Sequence, residues 1–445
     1  MKQCRLNPPP DGRREHARGQ EKTENAAPMR ILQVVATLAP RYGGPSVACP
    51  ELSRELARQG HTVSIFTSDV DGRGNLDVPL DRPLVKDGVE IRYFHGWSQL
   101  GGKYTFSPGL WRALGENVAN FDIVQVWSVY SFSTAAASYW CRKRGVPYIV
   151  FPHGSLDPYL RRRNRPRKWF CTKLLAERDY RKASAVLFNT SEEMRLASDW
   201  SGLQKQPNGN GHMPKRFVVP IGLHPRWFEE PDPTAGERFR RKFPALTGRR
   251  LVVYFGRINF KKGLDILAPA FAQVARKYED LQLVLAGPGD EDYVRKVRRW
   301  LAEGGVLEKT TFTGALANED RFTVLQQAEV FALPSYTENF GQVVCEAMAS
   351  GVPVVISDQV NIWPEVTRAE AGLVVPCDAD ATAQALRNIL DDPARGREMG
   401  RNGRNWVAEH LPWEVVGAQM ISAYEEIVRD RGQRRTSPAE IVVAS

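Results

Sequence analysis

Two carboxylates flank a glycine in the stretch SYTENFGQVVCEAMASGVPVV, residues 335–355. Apolar residues recur at helical spacing after this glycine, which predicts a helix over residues 341–350. Glu338 then lies in the loop before the helix, and Glu346 lies on the helix, roughly eight rises of 1.5 Å further along. Because the free N–H groups of a helix N-terminus attract phosphate, the pattern predicts two contacts to an extended anionic ligand.

A basic loop provides a second group of candidate residues. In FGRINFKKG, Arg257 and Lys262 follow an apolar run that is typical of a strand. Two cations on one loop suit a diphosphate, since a guanidinium can fork onto two oxygens and an ammonium adds a point charge. A solvated basic loop without a ligand is the alternative, and the motif alone does not separate the two.

Two further strand ends carry residues that suit a ligand site. His153 ends the strand in PYIVFPHG, where it is suited either to a substrate or to a structural bond to a loop carbonyl. Gly43 and Gly44 follow the first predicted strand and would let the backbone approach a phosphate, with a plain tight turn as the alternative. They do not form the GxGxxG fingerprint, and only Asp69 offers an acid at the end of the second strand, so hydride transfer is disfavoured.

Metal and disulfide chemistry find little support in the sequence. Asp290 and Asp292 have an Asp-x-Asp spacing, but they start a predicted helix, where acidic residues commonly serve the helix dipole. The six cysteines are scattered without a CxxC spacing, which favours reduced thiols over disulfides or a zinc site. No metal site is therefore predicted.

The elements that must position these residues follow an α/β pattern. Apolar β-branched runs alternate with helix-period segments from Met29 to about Leu390, which predicts two Rossmann-like doubly wound domains facing a central cleft. A Pro- and Gly-rich stretch, GLHPRWFEEPDPTAG, is the best hinge candidate. The predicted division is a disordered extension (1–28), a first domain (29–225), a second domain (226–412), a helix that crosses back to the first domain (413–430) and a tail (431–445).

Charge and composition narrow the partners. The 445-residue chain carries a net charge of +10, which suggests an anionic partner, but no RNA-binding fingerprint or zinc-finger spacing points to nucleic acid. No run approaches the roughly 18 apolar residues of a membrane helix, and the charged N-terminal segment lacks the apolar core of a signal peptide, so we expect a cytoplasmic chain. The densest basic run is suited to lipid phosphates at a membrane, with a solvated helix start as the alternative; it contains Arg161, Arg162, Arg163, Arg165, Arg167 and Lys168.

Taken together, seven motifs resemble glycosyltransferase family 4, a family of retaining nucleotide-sugar enzymes of the GT-B fold. They are GGPS, PHGSLDPY, NTSEE, FGRINFKKG, LAGPG, FTG and TENFGQVVCEAMASGVPVV, and the resemblance covers roughly residues 29–430. It implies that Glu338 binds hydroxyls of the donor sugar, that Glu346 holds the ribose, and that His153 contacts the transferred sugar. It further implies a diphosphate neutralised by Arg257 and Lys262, an approach to the donor by Gly43 and Gly44, and contacts from the backbone amides of Phe340, Gly341, Gln342, Val343 and Val344.

The resemblance also implies a reaction. Such an enzyme moves a sugar from a UDP- or GDP-sugar to a saccharide or lipid-linked acceptor, in polysaccharide, lipopolysaccharide or glycolipid synthesis, and needs no metal. One departure is Ile221 before Gly222, where the family more often has Asn. The alternatives are an epimerase, hydrolase or phosphorylase-like enzyme on the same fold, or a non-catalytic anion-binding module, since a fold alone does not determine chemistry.

Overall fold

The computed structural model describes residues 27–97, 105–129, 131–158, 177–198, 200, 213–230, 232–316 and 318–436. The basic run at residues 161–168 lies outside the described residues, as do most of the predicted N-terminal extension and the last nine residues of the tail.

An eight-stranded sheet organises the first part of the chain, in the spatial order β10-β9-β8-β7-β1-β2-β6-β5. Its neighbours are parallel except for the edge pair β5 and β6. The strands are β1 Arg30–Thr37, β2 Thr62–Ser68, β5 Pro83–Lys86, β6 Val89–Phe94, β7 Ile123–Trp127, β8 Tyr148–Phe151, β9 Ala185–Phe188 and β10 Lys215–Val218. A separate hairpin pairs β3 Val70–Asp71 with β4 Gly74–Asn75.

A six-stranded parallel sheet organises the second part, in the order β13-β12-β11-β14-β15-β16. Its strands are β11 Arg250–Phe255, β12 Leu281–Ala286, β13 Thr310–Gly314, β14 Val330–Leu333, β15 Val354–Ser357 and β16 Gly372–Val375. Counted from β11, this is the 3-2-1-4-5-6 order of dinucleotide-binding folds, which bind ligands where the order reverses. That switch point lies between β11 and β14, and its counterpart in the first sheet lies between β1 and β7.

Helices cover the faces of both sheets, so most central strands are buried on both sides. In the first part they are α1 Pro45–Arg58, α2 Pro108–Asn117, α3 Phe132–Arg144, α4 Glu177–Arg181 and α5 Ser191–Ala197. Those that follow are α6 Ala235–Lys242, α7 Leu264–Ala275, α8 Glu291–Glu303, α9 Asn318–Gln326, α10 Gln342–Ala349, α11 Trp363–Arg368, α12 Ala379–Leu390, α13 Pro393–His410 and α14 Trp413–Thr436. The predicted α/β fold class is confirmed.

The last helix, α14, returns to the first sheet through a buried polar network. The hydroxyl of Tyr424 accepts a hydrogen bond from Gln33 Nε2 at 3.1 Å and donates to Gln125 Oε1 at 2.6 Å. Trp127 Nε1 donates to Gln33 Oε1 at 2.6 Å and extends the network along the sheet. Because these polar groups are buried, satisfying them fixes where the helix docks.

None of the helices in the described part of the chain combines the length and the apolar character needed to span a bilayer.

Candidate active site

At the switch point of the second sheet, the loop after β11 and the loop after β14 are joined by a backbone hydrogen bond. The N–H of Tyr336, after β14, donates to the carbonyl of Lys261, after β11, at 2.8 Å. A Cβ at Gly263, which has a φ of 66°, would lie 1.9 Å from the carbonyl oxygen of Pro334. Only glycine permits this close approach, so Gly263 determines how near the basic loop lies to the carboxylate loop.

The charged groups on these two loops meet directly. Lys262 Nζ forms an ion pair with Glu338 Oε2, and the two side chains are 14% and 25% exposed. The backbone of Glu338 is fixed on both sides, since its N–H donates to Gln359 and its carbonyl accepts from Asn361, both at 3.0 Å. Arg257 is exposed, and its guanidinium forms no ion pair within the described residues. The two loops thus offer one cation paired with a carboxylate and one cation without an ion pair among the described residues.

Helix α10 presents its N-terminus to the same place. It begins at Gln342, directly after Gly341. Gly341 has a φ of 78°, and a Cβ at this position would lie 2.8 Å from the side chain of Val360, so both the backbone conformation and the space require glycine. The N–H groups of Gln342 and Val343 have no acceptor among the residues that the structure describes. Phe340 is buried under the turn, and two free N–H groups with the helix dipole can bind an anion.

Glu346 is buried on α10 and faces a residue that the sequence analysis missed. Arg321, on α9, forms an ion pair with Glu346 Oε1. Burial raises the pKa of Glu346 to about 7, and the Arg321 guanidinium opposes this rise. Nothing in the local sequence indicates a role for Arg321, because it is one of several charged residues on its helix. The only sequence signal was indirect: a carboxylate on the buried face of a helix, such as Glu346, needs a counter-ion.

His153 is held in an unusual backbone conformation at the end of β8. Its φ is 47°, and its ring stacks on Trp127 at a centroid distance of 5.0 Å. Burial lowers the pKa of His153 to about 3, so the imidazole is neutral at physiological pH. Its buried Nε2 atom has no hydrogen-bond partner among the described residues, which leaves one polar atom for a ligand.

The turn at His153 contacts the carboxylate loop of the second sheet. A Cβ at Gly154 would lie 2.8 Å from the side chain of Asn339, next to Glu338. Thr337 Oγ1 donates to Asp157 Oδ2 at 3.1 Å from the same loop. The structure therefore brings His153 and Glu338 to one cleft from opposite sheets.

The glycine pair precedes helix α1 at the switch point of the first sheet. Gly43 and Gly44 have φ values of 61° and 29°. A Cβ at either position would meet no atom within 4 Å, so the space above this turn is open. Ser46 Oγ donates to the carbonyl of Thr37 at 2.8 Å and ties the start of α1 to the end of β1. The turn is uncrowded and accessible to a ligand.

The two aspartates with a possible metal spacing have local partners. Asp290 caps α8 by accepting from the N–H of Tyr293 at 3.3 Å, and Asp292 forms an ion pair with Arg295. The residues that the structure describes contain no group of three or more His, Cys, Asp or Glu side chains placed to hold a metal ion.

Comparison with known structures identifies the class of fold. HepE from Anabaena, solved in complex with UDP and glucose, superposes with a TM-score of 0.68 at 16% identity, over 89% of this chain and all of that one. Sucrose-phosphate synthase from Thermosynechococcus elongatus gives a TM-score of 0.68 at 23% identity, over 90% of this chain and all of that one. Both likenesses concern the fold, which is GT-B, as the sequence predicted.

Two family models match the sequence on either side of the cleft. Residues 43–208 match the glycosyl transferase 4-like domain, and residues 236–406 match glycosyl transferases group 1. The chain belongs to the group 1 glycosyltransferases of family 4, which confirms the resemblance carried by its motifs.

The sequence identities to individual curated relatives are low. A GDP-mannose-dependent alpha-(1-6)-phosphatidylinositol monomannoside mannosyltransferase from Mycolicibacterium smegmatis is 33% identical over 198 residues, which is 43% of this chain and 51% of that enzyme. The chain thus spans about half the length of this relative. MMP alpha-(1->4)-mannosyltransferase from Mycolicibacterium hassiacum is 26% identical over 437 residues, covering 90% of this chain and 98% of the relative.

Proposed function

We propose that the protein is a retaining glycosyltransferase that transfers a hexosyl group from a nucleotide-sugar donor to a saccharide or lipid-linked acceptor. The observation that carries the proposal is the cluster at the switch point of the second sheet. There, the loop that carries Arg257 and Lys262 meets Glu338 and the open N-terminus of α10. Family membership supports the same reaction class.

The roles follow from where charge develops. Cleavage of the glycosidic bond produces an oxocarbenium-like sugar and an anionic diphosphate. Arg257, Lys262 and the N–H groups of α10 stabilise the diphosphate, with Lys262 moving from Glu338 toward phosphate. Glu338, once released, accepts hydrogen bonds from sugar hydroxyls, and neutral His153 contacts the transferred sugar without adding charge.

In this proposal the acceptor attacks from the face that the diphosphate leaves, and the departing phosphate takes the acceptor proton. The new glycosidic bond then forms with the original anomeric configuration, and no side chain acts as general base. The donor phosphates already face two cations and a helix N-terminus, so the reaction does not require a metal ion.

In this proposal the nucleotide of the donor is UDP or GDP. The mycobacterial relative is GDP-mannose-dependent by name, while HepE was solved with UDP and glucose. The acceptor named for the first relative is a phosphatidylinositol monomannoside, which favours a lipid-linked or saccharide acceptor for this chain and a role in polysaccharide, lipopolysaccharide or glycolipid synthesis.

A ligand panel tests the proposal. Melting temperature should rise with UDP or GDP and with the sugars of that nucleotide, with ADP as the comparison, because a ligand at a hundredfold excess over Kd stabilises the protein by about 2.7 kcal/mol. The matching sugar donor should then be consumed with an acceptor, with EDTA having no effect, and NMR of the product should show the anomeric configuration of the donor. Absence of stabilisation by both UDP and GDP, or inversion of the anomeric centre, would contradict the proposal.

We also propose peripheral contact with the anionic cytoplasmic face of a membrane through the basic run at residues 161–168. Each Arg or Lys near such a surface contributes about 1 kcal/mol. Neutralising Arg161, Arg162 and Arg163 together should weaken binding to anionic vesicles and leave UDP or GDP affinity unchanged. The matched control neutralises Arg395, Arg397 and Arg401, which are exposed on α13. Equal vesicle binding by the wild type and the first triple variant would refute the contact.

A further inference from the structure

The side chain of Arg321 contacts both Phe255, at the switch point of the second sheet, and Glu346. Its guanidinium carbon lies 5.2 Å from the centroid of the Phe255 ring, at the end of β11. Its terminal nitrogen donates to Glu346 Oε1. The side chain of Arg321 is 40% exposed and that of Glu346 is 2% exposed, so the pair extends from the buried face of α10 to solvent.

The pair leaves hydrogen-bonding capacity unused. Glu346 Oε2 and Arg321 Nε are both buried, and neither has a partner within the described residues. A buried carboxylate accepts several hydrogen bonds, and an unused acceptor next to an occupied one is costly in a pair that serves only the fold. The unused oxygen is therefore available to hydroxyl donors of a bound molecule.

Arg321 is also the charged group that opposes protonation of Glu346. Burial raises the pKa of Glu346 to about 7, and Arg321 acts against that rise. The adjacent Cys345 is also buried, which raises the pKa of its thiol well above the usual range, so it adds no charge at neutral pH. Loss of Arg321 would leave Glu346 buried without a cation and mostly protonated at pH 7.

We propose that Arg321 is a positioning residue of the donor site, which holds Glu346 as an oriented carboxylate with Oε1 occupied and Oε2 free to accept from ribose hydroxyls. This inference rests on the proposed function, since it assigns the ribose of a nucleoside diphosphate to this pair. Arg321 acts through Glu346 rather than on the reacting atoms. The cation over Phe255 keeps the guanidinium beside the carboxylate before the donor arrives.

The test compares Arg321→Met with Arg321→Lys, and uses Arg298→Met as the matched control. Arg298, on α8, also lies over an aromatic ring. Its guanidinium carbon is 4.1 Å from the ring centroid of Phe312, on β13 of the second sheet. Each protein is titrated calorimetrically with UDP, with GDP, and with their 2′,3′-dideoxy counterparts, between pH 6 and 9.

We expect the wild type to prefer the ribose form of the nucleotide that it binds. Arg321→Met should weaken that nucleotide about tenfold or more at pH 7, equivalent to about 1.4 kcal/mol, and abolish the preference over the dideoxy form. Its affinity should recover as pH rises toward 9, because Glu346 then ionises without its counter-ion. Arg321→Lys should restore most of the affinity, and Arg298→Met should match the wild type.

The outcomes separate the inference from the function on which it rests. A wild type that binds neither UDP nor GDP overturns the proposed function and the inference together. A wild type that binds a nucleotide but does not distinguish it from its dideoxy form overturns the inference alone. If Arg321→Met fails to fold, Glu346→Gln takes its place, and retention of the full ribose preference by that variant also overturns the inference.

Discussion

The carboxylate of Glu193 accepts a hydrogen bond from the N–H of Gly154 at 2.6 Å and so joins the start of α5 to the turn that carries His153. It also accepts from the N–H and the side-chain amide of Asn189, at 2.7 and 3.1 Å. Three donors converge on one buried carboxylate, which fixes a turn with positive φ at His153. Glu193, in the NTSEE motif, therefore holds the turn that carries His153 without facing the cleft itself.

Glu193→Gln should lower kcat through the turn that it supports. The amide NH₂ cannot accept from an N–H, so at least one of the three donors loses its partner at a cost of about 1–3 kcal/mol. Thermal unfolding and steady-state transfer kinetics would measure both effects. Glu192→Gln, on the same helix and also buried but paired with Arg195, is the control. Equal kinetics for the two variants would show that Glu193 has no bearing on the cleft.

The buried glutamates should make stability depend on pH with a definite sign. Burial raises the pKa of both Glu193 and Glu346 to about 7, above the usual value of 4.5. Between these pH values the folded state binds more protons than the unfolded state, so both groups lower the stability as pH rises from 4.5 to 7. Relative to Glu346→Gln, the wild type should lose free energy of unfolding across this window, on the order of 1 kcal/mol per pH unit. Urea denaturation at several pH values measures the difference, and a constant difference would contradict the assignment.

The two carboxylates of the opening motif should affect different kinetic constants. Glu338→Ala should chiefly lower kcat, because sugar contacts change as charge develops at the reacting carbon. Glu346→Ala should chiefly raise the donor KM, since ribose contacts differ little between ground and transition states. Glu329→Ala removes a carboxylate that pairs with Arg250 outside the cleft and serves as control. A kcat for Glu338→Ala within about twofold of the wild type would exclude a sugar-contact role.

Alanine at Gly43 or Gly44 should separate the cost to the fold from the cost to the site. Each φ is positive and each hypothetical Cβ points into open space, so strain of about 1 kcal/mol is the expected effect on stability. Gly60→Ala, at the other end of α1, has a φ of 95° and equally open surroundings. All three variants should melt slightly earlier, but only those at Gly43 and Gly44 should lose kcat/KM. The same kinetic loss in Gly60→Ala would mean that the glycine pair serves only the turn.

The sequence predicted the buried strands well because their apolar runs are long and continuous. The exposed edge strand β5 was missed, since all four of its residues are exposed and give no apolar pattern. Its only signal was the Asp87-Gly88 turn, in which both residues have positive φ, as a tight hairpin requires.

Most of the predicted site residues lie in loops that follow strands of a parallel sheet, and these loops meet because parallel strands end at one edge. Arg321 and Glu193 could not be found in this way. Both act through tertiary contacts, with Glu346 and Gly154 respectively, and a single sequence does not reveal which helix packs against which loop.

The most direct measurement of the donor-site assignment is the rate of sugar transfer by Arg257→Ala and Lys262→Ala, with the donor that the ligand panel identifies. Each variant should be slower by roughly a hundredfold or more, because each removes a positive charge from the developing diphosphate. Lys277→Ala, which loses an ion pair with Asp391 and a contact with the Tyr278 ring, should transfer at the wild-type rate. Rates for both site variants within about twofold of the wild type would contradict a diphosphate-binding role for the loop after β11.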